Sequence, residues 1–195
     1  MTALHSPLAW TREFNYYYRV SSEQDLPPYI FKPEKHFMRA HGYFALEMFE
    51  ESCRELRALP KEGVWDKRAR ELLVGIHCEQ EQWAEMMDVS RSLRLEFPEE
   101  VQWWVMDAFA TRREASIEEA REILLKGLVL HYDDALIRYN LGCYACVLKS
   151  FGECIDFLKE AVRRDEKFKL MALEDEDLLE VREALLKLGW AQVVV

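Results

Sequence analysis

Residues 139–168 read YNLGCYACVLKSFGECIDFLKEAVRRDEKF, and this stretch decides the fold. Cys154, Leu158 and Ala161 are spaced by four and three residues, which places them on one stripe of a helix in the order small, large, small. Leu141-Gly142 stands twelve positions before Cys154, a large residue followed by one without a side chain. The pattern is a packing signature.

Its register recurs through the chain. Aligned on the small residue, Ser52, Met86, Ala120 and Cys154 follow one another at intervals of 34. Three positions earlier stand Phe49, Trp83, Ile117 and Phe151, and four positions later Leu56, Ser90, Leu124 and Leu158. Leu59, Leu93, Gly127 and Ala161 complete the columns. A period of 34 residues, with Leu-Gly on a first helix and Ala-x3-large-x2-Ala on a second, resembles the tetratricopeptide repeat. The resemblance covers about residues 33–168, in copies at about 33–66, 67–100, 101–134 and 135–168. Its fourth copy alone has both Leu and Gly, the others reading Arg39-Ala40, Leu73-Val74 and Asp107-Ala108. The early aromatic of the first helix is present as Trp104 and the closing proline as Pro98. The resemblance implies an all-α fold, a right-handed superhelical solenoid of about four helical hairpins.

Composition agrees with such a fold. The chain has 195 residues, half of them apolar, with seven Gly and six Pro, which suits helices and argues against disorder. A net charge of −10 opposes binding to a polyanion, so nucleic acid is not an expected partner. A bilayer-spanning apolar run and the basic-then-apolar order of a signal peptide are both lacking, so a cytoplasmic protein without membrane contact is expected. Five Cys in such a chain read as reduced thiols that pack as small hydrophobes.

The two ends differ from the repeats. Residues 1–32 hold Trp10, Phe14, Tyr16, Tyr17, Tyr18, Tyr29 and Phe31 with three prolines, and Phe14–Val20 alternates with the two-residue period of a strand. This stretch reads as a mostly non-helical aromatic arm, too apolar to leave in water without cost. Residues 169–195 read as a capping helix and tail, with Glu174-Asp175-Glu176-Asp177 at the helix start and Leu178, Val181, Leu185 and Leu188 at helical spacing. Ser116 with Glu119 fits a capping box ahead of Ile117.

Catalytic machinery is not visible. Cys143-x2-Cys146 has the spacing of a zinc half-site or redox pair, yet it lies inside a predicted helix without a second ligand pair. The five His are dispersed, and neither a His-Glu-x-x-His motif nor a Gly-rich phosphate loop occurs. No enzyme activity, no metal and no cofactor are expected.

The resemblance places the binding surface on the concave wall formed by first helices, at positions 2, 5, 6, 9, 12 and 13 of each repeat. Mapped to this chain, the candidate groove comprises Phe37, Met38, His41 and Phe44 in the first repeat and Arg68 and Leu72 in the second. Val105, Met106, Phe109, Arg112 and Arg113 follow in the third, and Tyr139, Asn140 and Cys143 in the fourth. The basic residues of a chaperone-tail clamp are largely missing, with His41 where that clamp has Asn. A mostly apolar groove suits a peptide segment bearing Phe, Tyr, Leu or Val, with Asn140 and the Arg pair anchoring its backbone or a carboxylate. Three functions stay open: an interaction scaffold or adaptor for a protein partner; a homo-oligomer, such as a homodimer, whose groove is filled by its own or a neighbour's arm; and, less favoured, an enzyme or small-ligand binder.

Overall fold

The computed structural model describes residues 32–190; the aromatic arm, apart from Lys32, and residues 191–195 lie outside the described residues. Every regular element among the described residues is helical. In chain order they are α1 (Pro33–Ala45), α2 (Phe49–Arg57), α3 (Gly63–Glu79), α4 (Trp83–Glu96), α5 (Val101–Glu114), α6 (Ile117–Leu130), α7 (Ala135–Val147), α8 (Phe151–Arg164) and α9 (Lys167–Glu174). A 3-10 helix (Glu176–Val181) and α10 (Arg182–Lys187) close the described chain.

The 34-residue period is physical. Phe49, Trp83, Ile117 and Phe151 are the first residues of α2, α4, α6 and α8. Three of the connections ahead of these helices use one turn. Glu47, Glu81 and Lys149 adopt left-handed backbone (φ 58°, 55° and 63°), and the next amide donates back to the helix, as Met48 N–H does to Tyr43 O (2.9 Å) and Ser150 N–H to Ala145 O (2.8 Å). A residue in that conformation just past a helix end satisfies the orphaned carbonyls of the last turn. The third connection differs. Ala115 has φ −119°, and Ser116 caps α6 instead, its Oγ accepting from Glu119 N–H (3.1 Å). Asp134 caps α7 in the same way, with Ile137 N–H donating to Oδ1 (2.7 Å).

The chain divides into two compact units at Gln82 and Trp83, within the second 34-residue period. In the first unit α1 pairs with α2, and α3 adds to them. Phe37, Ala40, Leu56, Leu59, Ala69, Leu72 and Ile76 form its core. Ser52, buried in the small-residue column, donates from Oγ to Ala40 O (2.7 Å), so its hydroxyl is satisfied across the α1–α2 interface.

The second unit runs from α4 to the C-terminal segment, with α4 against α5, α5 against α6 and α7 against α8. Close approach explains its glycines. A Cβ on Gly142 would stand 2.9 Å from Leu158 Cγ and Cδ2, and one on Gly127 would stand 3.1 Å from the Trp104 indole. Leu141 to Cys146 are all buried, so this stretch of α7 is enclosed on every side. Asp107, fully buried where the fourth copy has Leu141, is held by Arg94 Nε–H donating to Oδ2 (2.7 Å) and Thr111 Oγ–H donating to Oδ1 (3.2 Å). Arg94 in turn lies over the Trp104 ring, 4.8 Å from its centroid. This ion pair replaces an apolar contact at the repeat's first-helix position.

Candidate peptide-binding surface

The first-helix residues singled out in the sequence fall into two groups, one in each unit. In the first unit Phe37 and Leu72 belong to the core, while His41 and Phe44 are half-buried and Met38 is 64% exposed. The Arg68 guanidinium lies 5.7 Å from the Phe37 centroid and 4.9 Å from that of Trp65, a cation held against two aromatic rings. Trp65 itself was not among the residues chosen from the sequence. Its place in the first turn of α3, ahead of the mapped positions, hid it.

In the second unit Val105 is buried, and Met106, Phe109, Arg112, Arg113 and Asn140 are half-buried. Arg113 sits 3.5 Å from the Phe109 ring centroid and 4.9 Å from that of Trp83, with Trp83 edge-on to Phe109. An aromatic pair with a guanidinium against it can receive apolar side chains and a carboxylate together. Asn140 Nδ2–H donates to Leu136 O (2.9 Å), one turn back in its own helix.

Tyr139, Cys143 and Arg112 face the chain's own C-terminal segment. Tyr139 stacks on Phe168 (centroids 4.8 Å, 25° between planes), and its hydroxyl donates to Asp175 Oδ2 (2.7 Å). Cys143 Sγ donates to the same oxygen at 3.5 Å. Asp175 Oδ1 accepts from Asp177 N–H (2.9 Å), so one carboxylate caps the 3-10 helix and binds α7 at once. Asp177 forms a two-point pair with Arg112, Nη2–H donating to Oδ1 (2.7 Å) and Nη1–H to Oδ2. Arg112 also lies over the Tyr144 ring at 5.3 Å. The capping helix expected from the acidic run onward is a 3-10 helix followed by α10, and α9 precedes it, with a break at Asp175. The break lies where Asp175 leaves the helical path to meet Tyr139 and Cys143. Neither α7 partner could be paired with Asp175 from helical spacing alone.

Electrostatics follow burial. Loss of solvent pushes the Tyr139 phenol and Cys143 thiol up, with the Asp175 charge adding to both. Arg112 is raised in turn by its hydrogen bond to Asp177. Burial raises Cys146, and pushes Cys154 up to about 12. Protonated thiols are poor nucleophiles and poor metal ligands, so these cysteines act as packing groups. All five cysteines are free, and no cluster of metal-ligating side chains occurs among the described residues.

The raised values have a stability consequence. A thiol whose folded value lies above its unfolded one stabilises the fold fully below pH 9.0, and that contribution is lost as pH climbs from 9.0 towards the folded value near 12. Between pH 7 and pH 10 the Cys154 thiol alone should cost the fold about 1 kcal/mol, with Cys143 adding to it. Urea midpoints at the two pH values check this. The drop should shrink in a Cys154→Ala variant, and an equal drop would exclude the thiol as its source.

The second unit also has two shallow clefts. One of about 450 Å³ is lined by Glu118, Glu119, Arg121, Glu122, Leu148, Ser150 and Glu153. The other, of about 570 Å³, lies beside Leu128, Arg138, Gly152, Asp156, Phe157 and Glu160. Both are bordered mainly by second helices of the repeats, with Arg138 of the first helix α7 at the edge of the larger one, whereas the sequence points to first helices. No helix among the described residues is long and apolar enough to cross a membrane.

No protein-family model matches the chain, and no curated protein matches it. Among solved structures the chain is similar to MamA AMB-1 in its P212121 crystal form, a tetratricopeptide-repeat protein, at 13% identity and a TM-score of 0.57, over 70% of this chain and 74% of that one. At that identity the likeness speaks to fold: the chain has the tetratricopeptide-like architecture of successive helix pairs.

Proposed function

We propose that this chain is a non-catalytic cytoplasmic scaffold that receives a peptide segment of a protein partner on the first-helix faces of its repeats. One observation carries the reading. The α5 and α7 face already holds a peptide, the chain's own Phe168 to Asp177, through a ring stack, a buried carboxylate and a two-point Arg contact. Beside it, Phe109, Arg113 and Trp83 offer the aromatic and cationic groups that anchor such segments. Five free cysteines, four of them buried, suit a reducing compartment.

A display selection of random peptides on the full chain, counter-screened on a Phe109→Ala/Arg113→Gln variant, tests this. Selected peptides should lose at least about tenfold in affinity on the variant, an effect of the size expected for aromatic and Arg anchors. Peptides that bind both proteins equally would place recognition elsewhere.

A second reading draws on Met38, 64% exposed on the α1 face, and on the aromatic composition of residues 1–32. A segment of that composition is a suitable cover for such a face, in cis or from a second copy in a homo-oligomer. Under this reading, the full chain yields no selected peptides while a chain lacking residues 1–32 does.

A further inference from the structure

The contact between α7 and the C-terminal segment has the chemistry of a receptor and its ligand. Tyr139 O–H and Cys143 S–H converge on one carboxylate, Asp175, which is 8% exposed. Arg112 takes the second carboxylate two residues on, and Leu178, the next residue in sequence, is fully buried. The arrangement reads the pattern Asp-x-Asp-Leu, with a hydroxyl and thiol for the first acid, a guanidinium fork for the second and an apolar site for Leu.

The ligand side is made of short elements that pack inward through Phe168, Ala172, Leu178, Val181 and Leu185. Its helices span eight, six and six residues, well below the length that holds a helix together by itself. Its outer side is wet: Leu170, Leu179 and Leu186 are 51%, 56% and 46% exposed. Arg112 and Asp177 retain side-chain exposures of 24% and 28%, so a competing carboxylate can reach the fork from solvent. The receptor side does not share this looseness, because Tyr139, Cys143 and Tyr144 are buried on helix α7. Once uncovered, its hydroxyl and fork would be hydrated, and the carboxylates of a partner could replace that water.

We propose that the Arg112–Tyr139–Cys143 surface is a binding site for an Asp-x-Asp-Leu segment of a partner protein, occupied in the resting chain by Asp175–Leu178 as an autoinhibitory latch. The proposal rests on the scaffold reading above and names the partner's chemistry for one part of the surface. Binding must displace the latch, so the apparent affinity is reduced by the small fraction of chains with the latch open.

The test uses the full chain and a fluorescein-labelled peptide of its own residues 172–190. Asp175→Asn/Asp177→Asn in the protein should open the latch, seen as faster amide exchange across residues 176–188, and should tighten peptide binding about tenfold or more over the unmodified chain. Adding Arg112→Gln to that variant should abolish the gain, and a peptide with both aspartates changed to Asn should not bind. Asp177→Asn alone, which leaves the Asp175 cap intact, should give a smaller gain in the same direction. The proposal is overturned if exchange is unchanged in the double variant, or if exchange rises and peptide binding does not tighten. Failure here, while display-selected peptides still depend on Phe109 and Arg113, would remove the latch and leave the scaffold reading standing.

Discussion

Replacing Asp107 with Ala should lower the folding free energy by about 3–5 kcal/mol, the cost of breaking a buried ion pair and leaving one charge behind. Asp107 is fully buried, and its partner Arg94 keeps only 15% side-chain exposure. Without the carboxylate, the guanidinium retains its place over Trp104 and loses its strongest hydrogen-bond acceptor. Denaturant midpoints give the magnitude. A double change, Asp107→Leu with Arg94→Met, should return most of the loss, because a well-packed apolar pair can equal a buried ion pair. The Leu restores the residue that the fourth copy has at Leu141. A single Asp107→Ala loss below about 1 kcal/mol would mean that Arg94 finds water or another acceptor.

Trp104→Ala should cost a similar amount, about 3–5 kcal/mol, as other buried aromatics do when truncated. The indole is 6% exposed and fills the space against Gly127. Its Nε1–H donates to Pro98 O at 2.9 Å. Gly127→Leu offers a direct check on the cavity explanation. In the intact chain the new side chain collides with the indole, whose atoms stand 3.1 Å from the site of a Cβ. In the Trp104→Ala background it should refill the cavity and recover part of the loss. If Gly127→Leu harms both backgrounds equally, Trp104 and Gly127 do not share one packing site. Because Arg94 touches Trp104 and Asp107 alike, the Trp104→Ala and Asp107→Ala losses should not add, and a coupling of about 0.5–3 kcal/mol is expected between them.

The repeat period was legible because packing enforces it. Each second helix must begin at the same phase to bring its small residue against the preceding helix, and the column Phe49, Trp83, Ile117 and Phe151 coincides with four helix starts. Asp107 shows where such reading ends. At a position that prefers Leu it looks like a weak match, and the compensating Arg94 lies 13 residues earlier, on a different helix. The C-terminal segment shows the same limit. Its leucines have helical spacing, yet Asp175 leaves the helical path and accepts from Tyr139 and Cys143. Periodicity assigns faces, and pairs between distant segments come from the assembled core. Tyr139 and Cys143 were therefore placed on the right helix by register alone, while the neighbour they touch depends on a chain reversal after Arg164 that spacing does not encode.

On the proposed reading, partners bind the first helices, away from the clefts beside the second helices. Photo-crosslinking a benzophenone-bearing selected peptide to the full chain, followed by peptide mapping, tests it most directly. Adducts are expected within Val101–Glu114 and Ala135–Val147. Adducts confined to Ile117–Leu130 and Phe151–Arg164, where the two shallow clefts lie, would contradict it.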